Sequence, residues 1–137
     1  TGTRDPGAAL CVPAAIAEIG SMVDGGWAGV RDRNHRMVVA ARAQLCDSLG
    51  VEAACPVEMI GSMATISLPD SPSGAKRDAF TRDALQDALF NEWKIEVPVI
   101  PWPAPPARLV RISAQIYNDL GQYERLGQAL RELCGPA

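Results

Sequence analysis

Arg111 is the side chain in this sequence best placed to do chemistry. It lies in Arg108 to Leu133, RLVRISAQIYNDLGQYERLGQALREL. Val110, Ile112, Ala114 and Ile116 alternate with Leu109, Arg111, Ser113, Gln115 and Tyr117, the period of two expected of a strand with one buried face. Arg111 falls on the face away from the buried set, with small Ser113 two residues on. An arginine fixed on a strand presents a planar fork that can hold a carboxylate through two parallel hydrogen bonds. The plainer reading is a solvated strand arginine paired with a nearby glutamate.

The other chemistry-bearing residues are sparse. Gly2-Thr3 stands ahead of a helix start, where backbone N–H groups, a hydroxyl and the positive end of a helix dipole suit a phosphate. An ordinary capped turn reads equally from those residues. The lysines are Lys76, in a loop dense in Pro, Ser and Gly, and Lys94, at a strand opening. Cys11, Cys46, Cys55 and Cys134 show no C-x-x-C spacing, and His35 is the single histidine, so a zinc site is not expected. Cys46 and Cys134 lie on apolar helix faces and read as small core residues. His35 sits among Arg31, Arg33, Arg36 and Arg42, which read as the solvated face of a helix.

Elements that would position these residues follow from periodicity. Asp5 and Pro6 can open a helix, or Pro13 can start or bend it. Met37, Ala41, Leu45 and Leu49, with Val38, form an apolar stripe over a helix from about 30 to 49, ended by Gly50. Met63 to Leu68 reads as a strand, and 69–77 as a surface loop. A helix is expected over about 78–92, with Phe80, Ala84, Leu85, Ala88 and Leu89 facing inward. Lys94 to Ile100 reads as a strand, placed at a sheet edge by Pro98. PWPAPPA, 101–107, reads as a stiff link that pairs this strand antiparallel with the Arg111 strand. Asn118 and Asp119 stop that strand and cap a last helix striped by Leu120, Tyr123, Leu126, Leu130 and Leu133, with Gly135-Pro136 ending it. The expected class is α+β: a three-stranded, largely antiparallel sheet packed with helices. Residues 1–137 form a single domain, in which 1–29 is a loop and helix and 30–137 a helix plus an α/β sandwich.

Four stretches carry a family resemblance: GTRDPGAALCVPAAI at 2–16, RNHRMVVAARAQLCDSLG at 33–50, EMIGSMATISLP at 58–69 and VRISAQIYND at 110–119. In that order they resemble the C-terminal end of class V aminotransferase-type, fold-type I pyridoxal phosphate enzymes, in the isopenicillin N epimerase-like branch that borders the cysteine desulfurases. The resemblance implies a small C-terminal domain that faces a large cofactor-binding domain through residues 1–29, in a homodimer. It implies that Arg111 binds the α-carboxylate of an amino-acid substrate. It also implies that Gly2 and Thr3 contact cofactor phosphate across the dimer, although Arg4-Asp5 stands where the desulfurase pattern has Pro-Asn. Tyr117 is expected to pack in a corner and Asn118 to cap the helix. Neither Lys76 nor Lys94 has the context of the family's Schiff-base lysine, so no catalytic residue and no tightly held cofactor are expected here. The segment Val97 to Val110 contains no cysteine, which weighs against desulfurase chemistry and leaves epimerisation, elimination and transamination.

Composition agrees with a packed domain. The chain has 137 residues, 47% of them hydrophobic, 21% charged, with a net charge of −3. That is enough for one core and argues against a nucleic-acid surface. No apolar run approaches the roughly 20 residues that span a bilayer. Nothing speaks for secretion, so a reduced, cytoplasmic setting is the expectation. The chain opens on Thr1, not methionine, and is expected to be part of a longer enzyme. The competing reading is a stand-alone α+β interaction or regulatory module, with packing retained and no catalysis.

Overall fold

The computed structural model describes residues 6–72 and 82–135. In order these form α1 (Gly7–Leu10), α2 (Val12–Ser21), α3 (Gly26–Leu49), a short 3-10 turn at Val57–Met59, β1 (Met63–Leu68), α4 (Ala84–Asn91), β2 (Val99–Pro101), β3 (Arg108–Ser113) and α5 (Leu120–Cys134). The class is α+β, as expected, with one three-stranded sheet in the order β1-β3-β2 and both pairings antiparallel.

The central strand β3 sets the layers. Its residues Val110 and Ile112 point inward with Ala64, Ile66 and Leu68 of β1 and Val99 of β2, all buried. Against them lie Val38, Ala41 and Leu45 of α3 and Tyr123, Leu126, Ala129 and Leu130 of α5. Helices α3 and α5 cross closely at Gly127, where a Cβ would stand 3.1 Å from Ser48 Oγ and 3.3 Å from Leu45 Cδ2. A side chain there would require Ser48 or Leu45 to give way by a few tenths of an ångström. Gly50 ends α3 in the left-handed region at φ 65°, and Val51 N–H returns to the Cys46 carbonyl.

Several expected boundaries shift for local reasons. The β2 strand is shorter than 94–100. Residues 94–98 lie beside the sheet without pairing as a strand, and the outward N–H of Val99 donates to Gln86 Oε1 at 2.9 Å. Pro98 stands just before this edge strand, and its carbonyl accepts from Arg111 N–H at 3.1 Å. The link through the prolines is a turn closed by Trp102 N–H to the Ala107 carbonyl, and Trp102 is 64% exposed, so it is not packed. The first helical segment breaks at Cys11, leaving Pro13 in the first turn of α2. Helix α3 begins at Gly26, earlier than 30. Helix α4 runs Ala84–Asn91, with Ala84 exposed; the expected residues 78–81, Phe80 among them, lie outside the described residues. Of the four arginines assigned to the solvated face of α3, Arg42 turns inward instead and donates to the Cys55 carbonyl at 2.7 Å.

The strongest polar lock is one that periodicity does not announce. Arg108, on the inner face of β3, donates to Asp83 Oδ1 at 2.7 Å and to the Pro69 carbonyl at 2.8 Å. Their side chains are 7% and 1% exposed. Asp83 is also the N-cap of α4, accepting from Leu85 N–H at 2.9 Å. One carboxylate thus joins a helix start to the central strand. Removing it strands a buried guanidinium and an uncapped helix together. Asp83→Ala is expected to cost about 3–5 kcal/mol in urea unfolding, and Asp83→Asn less, because the amide oxygen can still cap.

Candidate functional site

Alternation on β3 puts Arg111 on the sheet face away from the helices, exposed and opposite Thr65 of β1. Its backbone is held on both sides, by the β1 ladder and by the Pro98 carbonyl. Its guanidinium takes part in no ion pair or side-chain hydrogen bond among the described residues. Arg111 faces outward as expected, which fits a solvated strand arginine as well as a binding fork, and no glutamate pairs with it among the described residues.

A groove of about 440 Å³ opens beside it, with Lys94, Glu96, Ser113, Asn118, Gln122 and Tyr123 among its walls. The floor is built by the turn that follows β3. Ala114 N–H donates to the Ser62 carbonyl at 2.8 Å, and Gln115 N–H then turns to Asn118 Oδ1 at 2.8 Å. That side-chain acceptor takes the backbone donor a longer strand would need, so β3 stops at Ser113 and not near Ile116. Asn118 therefore makes the turn, and Asp119 is the residue that caps α5, through Gln122 N–H. Asn118 Nδ2 also donates to Gln122 Oε1 at 2.7 Å, which stiffens the wall. Tyr117 is 78% exposed and packs in no corner; the turn carries it outward. Tyr123 does the pinning instead, its hydroxyl donating to the Ser113 carbonyl at 2.7 Å.

A second anchor comes from α3. Arg33 donates to the Ile116 carbonyl at 3.2 Å, and Asn34 Nδ2 to Gln115 Oε1 at 3.0 Å. The buried Asn34 Oδ1 has no hydrogen-bond partner among the described residues. His35 Nδ1 lies 3.1 Å from the Gly61 carbonyl oxygen, a position from which the ring N–H donates, so the ring braces a loop.

Gly2, Thr3 and Lys76 lie outside the described residues. Lys94 borders the groove, and its ammonium donates to the Asn91 carbonyl at 2.7 Å, at the end of α4. That bond ties the Lys94 side chain to the last turn of α4. The described residues do not fit a pyridoxal phosphate attachment site. The four cysteines are free thiols, and no group of three or more His, Cys, Asp or Glu side chains gathers among the described residues. No helix among them is long and apolar enough to cross a membrane. Sequence reading missed Tyr123 as the pin of the strand end, since its place in the helix stripe marked it only as core.

Burial raises the Tyr123 hydroxyl above its ordinary value, with Tyr117 and Asp119 adding to the effect. Burial likewise raises the Cys46 and Cys134 thiols, against the opposing pull of Arg42 and Arg108 respectively. The folded chain thus keeps protons that the unfolded chain releases in alkali. The stability these groups lend is complete below the unfolded values, about 8.5 for a thiol and 10 for a tyrosine, and is lost as pH rises through the folded ones. The urea midpoint is expected to decline from about pH 8.5 upward. Cys46→Ala with Cys134→Ala flattens the first part of that decline. Tyr123→Phe flattens the part above about pH 10 and costs about 1 kcal/mol at neutral pH.

No protein-family model matches the chain. Curated relatives do. Over 96% of its length the chain is 35% identical to a probable chloroplastic L-cysteine desulfhydrase of Arabidopsis thaliana, and it spans 28% of that protein. Over 96% it is 35% identical to a putative L-cysteine desulfhydrase 2 of Oryza sativa subsp. japonica, spanning 30% of it. Over 96% it is 32% identical to isopenicillin N epimerase of Amycolatopsis lactamdurans, spanning 30% of it. The chain is thus similar to L-cysteine desulfhydrases and isopenicillin N epimerases, over less than a third of the length of those proteins.

Proposed function

We propose that this chain is the C-terminal, substrate-side domain of a pyridoxal phosphate-dependent enzyme acting on an amino acid, and that Arg111 binds the substrate's α-carboxylate. The observation that carries the reading is the unpaired guanidinium on the central strand, facing an open groove. A two-pronged grip on the carboxylate fixes the orientation of Cα, and orientation decides which bond at that carbon is weakened. When bound, the cofactor supplies the electron sink for that chemistry. Its anchoring lysine and acidic partner belong, in this reading, to the large domain of the same polypeptide. The names of the relatives favour elimination or epimerisation over transamination. The free thiols suit a reducing compartment such as the cytoplasm.

Helices α1 and α2 support the existence of that large domain. Neither has a buried residue. Leu10 is 74% exposed and Ile16 51%, and Glu18 is the one charged residue between 7 and 22. Trp27 nevertheless clamps α2 to α3 by donating from Nε1 to the Ile16 carbonyl at 3.0 Å. An apolar face held ready in this way asks for cover. The cover proposed is the large domain of the same subunit, with a homodimer completing the cofactor phosphate site through Gly2 and Thr3.

In the complete enzyme, Arg111→Lys is expected to lower kcat/KM roughly 10- to 100-fold and Arg111→Ala further. The folding stability of the 137-residue chain should stay within about 0.5 kcal/mol. Unchanged kcat/KM in both variants would remove the assignment. Mixed with pyridoxal phosphate, the 137-residue chain is expected to show only the absorbance of the free cofactor and no turnover. Ile16→Glu should leave the melting temperature of the 137-residue chain nearly unchanged while lowering that of the complete enzyme, a contrast that thermal melting can read.

A further inference from the structure

The groove beside Arg111 holds more positive charge than one α-carboxylate needs. Lys94, Arg111 and Arg125 stand among its walls, against the single carboxylate of Glu96. Arg125 gives one N–H to the Trp93 carbonyl at 3.0 Å. Lys94 gives one N–H to the Asn91 carbonyl. An ammonium has three, so two are left for a ligand. No ion pair among the described residues engages Lys94, although Glu96 is two residues away.

The backbone at Lys94 is the second observation. Its φ is 57°, and it is the one non-glycine residue with positive φ among the described residues. The position follows the end of α4, where glycine normally takes the left-handed turn at no steric cost. Lysine is not among the side chains that ease this conformation, as asparagine and aspartate do. The strain is accepted at a residue that lines the Arg111 groove. Strain kept where a simpler residue would fold better is a mark of function.

Resting on the reading of Arg111 as the α-carboxylate site, we propose that Lys94 is a second anion anchor of the same groove. The substrate class it selects is an amino acid with another carboxylate at the far end of its side chain. Arg111 holds the end that reacts, and Lys94 holds the end that distinguishes the substrate. Glu96 sharpens the choice by repelling a distal carboxylate that misses the ammonium.

The test compares a dicarboxylic amino acid with its neutral side-chain amide, as kcat/KM in the complete enzyme. Lys94→Gly is expected to lower the dicarboxylic-to-amide ratio on the order of tenfold, and Lys94→Arg to keep most of it. Lys94→Gly should also raise the urea midpoint of the 137-residue chain, because it relieves the left-handed strain. An unchanged ratio overturns the proposal, and so does a parental enzyme that refuses dicarboxylic substrates. Parallel losses on both substrates that extra pyridoxal phosphate restores would make Lys94 a phosphate contact and overturn it as well. A lowered midpoint would remove the strain argument and with it the proposal. Arg111→Lys separates the two readings: it should depress both substrates with the ratio kept, and if it depresses neither, the α-carboxylate assignment fails whatever Lys94 does.

Discussion

Two arginines on one strand, three residues apart, must point to opposite faces, and most of this domain follows from that parity. Arg108 shares its side of β3 with Val110 and Ile112 and is driven inward. Arg111 is one step out of phase and is driven outward. A pleated strand with one buried face leaves no middle option, since slipping by one residue would exchange every side chain between core and solvent. The register against β1, with Thr65 opposite Arg111 and Ile66 opposite Val110, is therefore fixed by hydrophobic burial on the far side of the sheet. The orientation of the candidate binding group is thus enforced by residues that never touch a ligand.

The two arginines also show what each environment demands. Inside, a guanidinium is tolerable only when its donors are matched, and Arg108 finds Asp83 and the Pro69 carbonyl. Outside, water can satisfy the donors of Arg111, and they stay available for exchange with a ligand. The inner pair ties α4 to the sheet, and so steadies the segment from Lys94 to Pro98 that forms the opposite wall of the groove. Tyr123 and Asn118 do the same from the α5 side. A rigid rim on both sides is what an orienting site requires, since looseness at the anchor becomes looseness at the reacting bond.

How much of this is legible in sequence depends on how local the cause is. The β1 strand, the antiparallel pairing around β3 and the stripe of α5 are written in alternation and helical spacing, and they stand where the residues place them, except that Leu120 at the head of the stripe is exposed. Arg111 facing outward is legible for the same reason. Arg42 and Arg108 are not, because charge patterning treats an arginine as solvated. Only the meeting of distant segments, Cys55 with α3 and Asp83 with β3, supplies the partners that let them be buried. The early end of β3 depends on one side-chain oxygen of Asn118 competing for a backbone donor, and propensity does not weigh such a contest. Tyr117 and Tyr123 illustrate the same limit. Both sit near the strand end, and only the path of the turn decides which hydroxyl reaches the Ser113 carbonyl.

The surfaces left uncovered carry the last step of the argument. A domain with its own core has no thermodynamic reason to hold a helix whose leucine, valine and isoleucine face water, still less to clamp it with a tryptophan. Nor does it need a central-strand guanidinium without a partner. Each feature alone has an innocent explanation. Together they describe a body with a finished interior and an unfinished exterior: one apolar face on α1 and α2, and one charged groove beside β3. The relatives run to about three times the length this chain spans. Further polypeptide could cover the apolar face and close the groove. Excluding water there would strengthen the hold of Arg111 on a carboxylate well beyond what an open surface allows.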